Sequence, residues 1–276
     1  MENLYQTKSV IIESFRDETP VDRLFKLRFK DQEVQKNFSF KAGQFVEISL
    51  PGWGEAPVGI LSSVAEKSYF EILVRRIGRV TTKLHQLKKG EEFGVRGPYG
   101  NGFPIEKFQN CNFLLMAGGT GIVPISAAVY ALINQREKCG KIQLFYGART
   151  PQDLLLQDRY DFWKQNGVEI CLTVDKADPS FKKFVCETGV VTTLFDKTNV
   201  AENPIALVVG PPIMFKFSLE RLKKVGIPDE NIYLSLERRM QCAMGICQHC
   251  AVGPYYVCKD GPVFSWAQLK DIPDVF

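Results

Sequence analysis

Near residue 110 the hydrophobic pattern of the chain changes its period, and this change separates parts that must fold differently. Before it, short alternating runs are punctuated by glycine and proline. Phe45-Val46-Glu47-Ile48-Ser49-Leu50 alternates cleanly, Leu24–Phe29 and Tyr69–Val74 alternate in part, and turns fall at Ala42-Gly43, Pro51-Gly52 and Gly97-Pro98. Alternation places every second side chain on one face, so several such runs predict an antiparallel barrel over residues 1–107. One helix is expected inside it, Thr81–Leu87, with Val80, Leu84 and Leu87 on one face and Gly90 as its stop.

After the change, apolar runs alternate with amphipathic stretches. The expected strands are Phe113–Met116, Ile142–Tyr146, Val168–Val174, Ile205–Val209 and Ile232–Leu236. Helices are expected at Val123–Lys138, Asp153–Gln165 and Met214–Val225. Strands apolar on both faces with helices between them predict a doubly wound parallel α/β sheet over residues 108–236. Residues 237–276 show neither period and form a small C-terminal segment. The chain is 45% hydrophobic and 24% charged, enough to bury a core in both larger parts. The net charge of +4 is spread along the chain, which gives no nucleic-acid footprint. The N-terminus, Met1–Gln6, lacks a basic-then-apolar leader, and no apolar run approaches the ~18 residues of a membrane span, so a cytoplasmic setting is expected.

In that setting thiols stay reduced, so clustered cysteines point to metal or redox chemistry. Cys242, Cys247, Cys250 and Cys258 stand at spacing C-x4-C-x2-C-x7-C. The first three match the plant-type ferredoxin ligand spacing, which predicts a 2Fe–2S cluster. A structural zinc site is the alternative, although such sites usually pair two C-x2-C halves. Small Ala243 and Gly245 let the backbone approach the sulfurs, and Gly253-Pro254 turns the chain back towards Cys258. His249 reads as a spacer or hydrogen-bonding neighbour. With His85 it is one of only two histidines, and this scarcity does not suit a Rieske centre, which needs two histidine ligands alongside its cysteines. Cys111, Cys139, Cys171 and Cys186 fall in or beside core elements and read as structural.

Leu114–Pro124 runs from a strand through Gly118, Gly119, Thr120 and Gly121 into a helix that has Pro124 in its first turn. Such a turn lets a diphosphate approach backbone N–H groups at a helix N-terminus. Arg149, after the next strand, and Gly210, Pro211 and Met214, after a later one, lie at strand C-terminal ends, where ligands bind in these sheets. These residues are the candidates for NAD(P). In the barrel, Val74–Thr82 brings arginines to a helix start with hydroxyls, a second candidate diphosphate site. A nicotinamide delivers a hydride and a 2Fe–2S cluster passes single electrons. A flavin exchanges both, so the other two sites imply it.

Gly43–Val46, Gly54–Pro57, Arg96–Pro104, Ala117–Gly121, Val209–Met214, Glu237–Met240 and the cysteine run together resemble the ferredoxin–NADP reductase superfamily over essentially the whole chain. The resembled branch carries a C-terminal 2Fe–2S extension. It includes cytoplasmic nickel–iron hydrogenase gamma subunits, the corresponding subunit of anaerobic sulfite reductase and the electron-transfer subunit of dihydroorotate dehydrogenase. The resemblance implies FAD on the barrel, NAD or NADP on the parallel sheet, and the cluster near the flavin. Pro57, Val58 and Gly59 would face the flavin ring, and Leu73, Val74, Arg75, Val80 and Thr81 would hold its ribityl diphosphate. The superfamily's Arg-x-Tyr-Ser/Thr flavin motif reads Ala56-Pro57-Val58-Gly59 here, without the stacking aromatic or the hydroxyl, which shifts flavin binding towards backbone contacts. The expected activity is that of a diaphorase-type NAD(P)H oxidoreductase subunit with no acid–base catalytic side chain. Its expected partner is the catalytic subunit of a nickel–iron hydrogenase. Anaerobic sulfite reductase, a heterodisulfide reductase-linked flavin subunit and a non-enzymatic zinc-stabilised interaction subunit are the alternatives. Partner docking is expected around Phe264, Ser265 and Trp266.

Overall fold

A computed structural model describes residue 3 and residues 5–276; Met1, Glu2 and Leu4, part of the stretch read as lacking a leader, lie outside the described residues. The chain divides into two compact units, one of residues 1–103 and 237–263 and the other of residues 104–236 and 264–276. The first boundary thus falls four residues before the expected 107, and the C-terminal segment is shared between the units instead of standing alone.

The first unit is built on six antiparallel strands: β1 (Lys8–Asp17), β2 (Asp22–Phe29), β3 (Phe45–Leu50), β4 (Gly54–Gly59), β5 (Phe70–Arg75) and β6 (Glu92–Tyr99). Their order is β4-β3-β6-β1-β2-β5, and an antiparallel bridge between Ile60 and Ile72 closes the ends into a barrel. Alternation decides what fills it. Val46, Ile48 and Leu50 of β3, Phe93 and Val95 of β6, Val58 of β4, and Phe70, Ile72 and Val74 of β5 share one buried cluster. Each such side chain contributes roughly 1.5–3 kcal/mol of burial. The intervening residues, among them Glu47, Pro57 and Arg96, therefore point away from the core. Helix α1 (Gln32–Asn37) is capped by the Asp31 carboxylate, and α2 (Arg79–Gln86) buries Leu84 while Val80 and Leu87 pack on the same cluster. That is the helix face expected from spacing.

The C-terminal part of this unit has little structure of its own. It carries only the two-residue strands β13 (Ala251–Val252) and β14 (Tyr255–Tyr256). Its conformation depends on what it is fastened to. At its far end the Asn101 amide donates to Asp260 O at 2.8 Å and Val263 O at 2.7 Å, and accepts from Val263 N. Asn101 N donates to Gly261 O at 2.6 Å. Gly100, at φ +82°, permits this approach: a Cβ there would sit 2.5 Å from Pro262 Cδ and 2.8 Å from Gly261 O.

The second unit is a parallel sheet of β7 (Cys111–Gly118), β8 (Cys139–Ala148), β9 (Val168–Val174), β10 (Glu187–Thr188), β11 (Ile205–Val209) and β12 (Ile232–Ser235), with β15 (Val263–Ser265) at one edge. The order β10-β9-β8-β7-β11-β12-β15 reverses direction between β7 and β11, as in a doubly wound sheet. Helix α3 (Ile122–Asn134) follows β7 and α5 (Pro212–Lys224) follows β11. Helix α4 (Tyr160–Gln165) is half as long as the spacing predicts. Leu156, at φ +57°, breaks that stretch into short 3-10 turns. The last helix, α6 (Trp266–Leu269), follows β15. Among the described residues no helix is long and apolar enough to cross a membrane.

Gly100→Ala should destabilise the protein by on the order of 2 kcal/mol, since it adds left-handed strain and a backbone collision. It should also expose residues 237–263 to protease before the barrel. Thermal melts and timed proteolysis measure both. Wild-type melting with wild-type cleavage order would show that this contact does not seat the segment.

Candidate redox site

The C-terminal segment of the first unit turns backbone N–H groups onto three of its four sulfurs. Cys242 Sγ accepts N–H bonds from Met244 at 3.3 Å, Ile246 at 3.3 Å and Cys247 at 3.4 Å. Cys258 Sγ accepts from Gly245 N at 3.2 Å, and Cys250 Sγ from Cys258 N at 3.5 Å. Such bonds require the loop to fold back tightly. Ala243 at φ +60°, Gly245 at +75° and Gln248 at +64° provide the left-handed turns. Among the described residues no three His, Cys, Asp or Glu side chains converge on a position for one metal ion. Thiols that receive inward backbone N–H groups fit the ligand set of an iron–sulfur cluster, whose sulfurs such groups stabilise.

The thiols are not equivalent. Burial opposes ionisation of Cys242, but the N–H groups of Cys247, Met244 and Ile246 outweigh it and hold the pKa below the usual thiol value. The backbone N–H of His249 and then that of Cys242 lower Cys247. Burial, followed by the hydrogen bond with Cys250, pushes Cys258 up. Cys247 is half-exposed while the other three are buried, and neighbouring Ile246 is 64% exposed. The solvent side of the loop is therefore Ile246–His249. His249 Nδ1 lies 3.2 Å from Cys247 O, the neighbour role expected of it.

The start of the segment is held by a residue that the motif reading did not single out. Arg96, on the outward face of β6, has a side chain only 1% exposed. Its Nη1 donates to Cys242 O at 2.7 Å and Tyr99 Oη at 3.1 Å; its Nη2 donates to Gln241 O at 2.8 Å and Glu55 Oε2 at 2.7 Å; its Nε donates to both Glu55 oxygens at 3.1 Å. Burial alone would weaken the guanidinium charge, but the bonds to Glu55 and Tyr99 prevail and raise its pKa. Glu47, the cross-strand partner of Arg96, is fully buried, and neither carboxylate oxygen has a hydrogen-bond partner. Burial pushes its pKa up to about 8, against the pull of Arg96. In Phe45–Leu50 the alternation alone reads Glu47 as a solvated position.

The flavin candidates are placed as follows. Pro57 and Gly59 lie on the outward face of β4, while the Val58 side chain is turned into the barrel core. Val58 can therefore offer the ring main chain only. Leu73 and Val74 are buried on opposite faces of β5. Arg75 makes a two-pronged ion pair with buried Asp22, Nε to Oδ1 at 2.8 Å and Nη2 to Oδ2 at 2.9 Å. The Thr81 hydroxyl accepts the N–H groups of Ile77 and Gly78 at 3.0 Å, which fixes the turn where α2 begins. Val80 stands in that first turn. His85, bonded to Val74 O at 2.9 Å and lowered by burial, is structural.

In the second unit, the loops after β7 and β11 meet at the reversal point. A Cβ on Gly118 would sit 2.6 Å from Met214 Sδ and 3.2 Å from Pro211 Cδ; one on Gly121, 2.3 Å from Val209 O; one on Gly210, 2.5 Å from Met214 Sδ. Gly121 thus lets the turn lie against the backbone of Val209, while Gly118 and Gly210 make room for the Met214 side chain. Gly119, at φ +54°, is different: a Cβ there meets nothing within 4 Å, so it borders open space beside the N-terminus of α3. Thr120 lies in the same turn and Pro124 in the first turn of α3. Tyr146 Oη donates to Gly119 O at 3.2 Å and accepts from Leu155 N, which pins the turn. Arg149 is exposed just past β8. Of the residues expected at the docking surface, Phe264 is only 1% exposed and is part of the core, whereas Ser265 and Trp266 are half-buried, with Trp266 stacked against Phe276 at 5.9 Å.

The purified chain should contain about two iron and two acid-labile sulfides and no stoichiometric zinc, with Cys247→Ser losing most of both. Iron, sulfide and zinc analysis decides this. Glu47→Gln should change how stability depends on pH. An acid whose folded pKa is raised stabilises fully below its ordinary value of 4.5 and loses that contribution as pH rises through about 8. Wild type should therefore fall behind Glu47→Gln between pH 4.5 and 8, by up to about 4 kcal/mol. Parallel denaturation profiles at pH 5 and 8.5 would contradict it.

Three family models match the chain: an oxidoreductase FAD-binding domain over residues 19–103, an oxidoreductase NAD-binding domain over residues 115–220, and the iron–sulfur cluster binding domain of dihydroorotate dehydrogenase B over residues 237–270. Sulfhydrogenase 2 subunit gamma of Pyrococcus furiosus is 38% identical over 280 residues, covering 96% of each chain. A probable dihydroorotate dehydrogenase B electron transfer subunit of Methanocaldococcus jannaschii is 39% identical over 244 residues, covering 87% of this chain and 84% of that protein. In a solved structure of NADH-dependent reduced ferredoxin–NADP oxidoreductase, one chain superposes with a TM-score of 0.75 at 28% identity, over 94% of this chain and 91% of that one. The polypeptide that places a cysteine-lined seat on a flavin barrel and a glycine-lined turn in a parallel sheet belongs to the ferredoxin–NADP reductase superfamily, in the branch of sulfhydrogenase gamma and dihydroorotate dehydrogenase B electron-transfer subunits.

Proposed function

We propose that this chain is the NAD(P)H-linked electron-transfer subunit of a nickel–iron hydrogenase, working with separate catalytic and iron–sulfur subunits. The observation that carries this reading is the seat of four thiols fastened to the outer face of the flavin barrel by Arg96 and Asn101. When bound, FAD exchanges a hydride with the nicotinamide and single electrons with the cluster. The residues bind and orient; none is needed to move a proton. Full-length similarity to a sulfhydrogenase gamma subunit favours hydrogenase over dihydroorotate dehydrogenase, whose matching proteins cover less of the chain. Anaerobic sulfite reductase and heterodisulfide reductase are the remaining partner classes. The zinc-stabilised interaction subunit is disfavoured by the match of residues 237–270 to an iron–sulfur cluster binding domain. A cytoplasmic setting suits eight cysteines held as free thiols.

In this reading the flavin ring lies against the main chain of Pro57, Val58 and Gly59. The first N–H groups of α2, around Val80 and Thr81, have no partner within the helix and meet the diphosphate. Arg75, partly neutralised by Asp22, supplies position more than net charge. Leu73 and Val74 shape the site from β5. In the second unit the space beside Gly119 takes the dinucleotide diphosphate, with Gly118, Thr120, Gly121 and Pro124 forming the turn and Gly210, Pro211 and Met214 the facing loop. Arg149 lies where the ribose end would extend.

The isolated chain should reduce artificial dyes with NAD(P)H and should not turn over hydrogen, sulfite or dihydroorotate. Gly119→Val should raise the nicotinamide KM by on the order of tenfold or more while flavin stays bound, because its side chain enters the open space. Hydrogen uptake by the chain alone at a rate near that of dye reduction would overturn the subunit reading. A wild-type KM in Gly119→Val would overturn the assigned turn.

A further inference from the structure

The seat of the cysteine segment holds more charge than attachment requires. Hydrogen bonds to two carbonyls could come from neutral amides, as Asn101 demonstrates at the other end. At the Gln241–Cys242 end the donor is a guanidinium that is nearly inaccessible to water, with Glu55 on its opposite side and unpartnered Glu47 beside it on β3. We propose that Arg96 is a positioning residue that sets the reduction potential of the cluster held by Cys242, Cys247, Cys250 and Cys258. This rests on the cluster reading above.

One electron entering the cluster adds one negative charge. A buried positive charge stabilises that added charge more than an exposed one, because little water screens it. Arg96 reaches the ligand directly: it bonds the carbonyl of Cys242, whose own sulfur receives three backbone N–H groups. Both contacts draw electron density away from the same residue, and hydrogen bonds and charge near the sulfurs are established determinants of such potentials. Glu55 offsets part of the Arg96 charge, but its side chain is 32% exposed, so water weakens its effect at the cluster. Arg96 therefore holds the potential up and Glu55 holds it down by a smaller amount. A purely mechanical clamp would give no such opposition of signs.

The experiment uses the anaerobically purified full chain, with iron and sulfide counted before EPR-monitored redox titration of the cluster at one pH. Arg96→Gln should shift the one-electron equilibrium towards the oxidised cluster by on the order of tenfold, which is about 59 mV lower. Arg96→Lys keeps the charge but not the fork of donors, and should fall between Arg96→Gln and wild type. Glu55→Gln should shift the equilibrium in the opposite direction, by less than tenfold. If Arg96→Gln fails to retain iron, Glu55→Gln decides alone: a raised potential supports the proposal and an unchanged one overturns it. Iron-loaded Arg96→Gln and Glu55→Gln that both titrate with wild type, or shift in the same direction, overturn it too. A wild-type chain with no EPR-active cluster would instead overturn the underlying cluster reading.

Discussion

The guanidinium of Arg96 is the contact on which the cysteine segment depends. Residues 237–263 bury few large side chains of their own and, before Val263 enters β15, contain only two-residue strands. A segment like that has too little internal structure to offset its conformational entropy, so its shape must come from the surface it is tied to. Arg96 ties its start with bonds to two successive carbonyls, and Asn101 ties its end with bonds to two more. Both residues belong to β6 and the loop that follows it. The spatial order of the four thiols is thus inherited from the register of a barrel strand.

The two units build their sites by different physics. In the first, side chains act as clamps on a loop that would otherwise wander. In the second, absent Cβ atoms set the packing: Gly121 lies against the backbone of Val209, and Gly118 and Gly210 make room for the Met214 side chain. Helix N-termini then provide N–H groups at no further cost in side-chain entropy. The parallel order of β8, β7 and β11 fixes these loops at one end of the sheet. A loop clamped by side chains can be tuned by single substitutions, whereas a backbone cradle tolerates almost none.

How much of this could be read from residues alone follows from the range of each interaction. The C-x4-C-x2-C-x7-C run, the glycine-rich turn at residues 118–121 and the alternation of Phe45–Leu50 are local, and the fold class followed from them. Arg96 meets Gln241 and Cys242 across about 145 positions, and no local pattern marks that pairing. Glu47 follows the rule for a solvated strand position, yet it is buried beside Arg96. Val58 was assigned to the flavin ring by its place in a motif, but strand parity turns its side chain inward. Leu156 and Phe264 show the same limit in the second unit. A left-handed residue cut the predicted helix short, and a terminal aromatic became core.

Burial of charge at the seat of the cysteine segment sharpens the question of what the seat is for. An ion pair taken out of water holds a fold no more firmly than apolar side chains of the same volume, and it is often less stable. Glu47 makes the arrangement costlier still, since a buried carboxyl without partners is stable only when it keeps its proton. Attachment alone would be served by a neutral amide, as at Asn101. A dry, rigid set of charges differs from an apolar seat in one respect: it produces a fixed field at the atoms beside it, which here are the carbonyl and sulfur of Cys242. A field is of no use to a passive loop. It is useful to a group whose charge changes by one unit each time an electron passes, so the burial of charge at this position agrees with the redox role of the thiols and not with a purely structural metal.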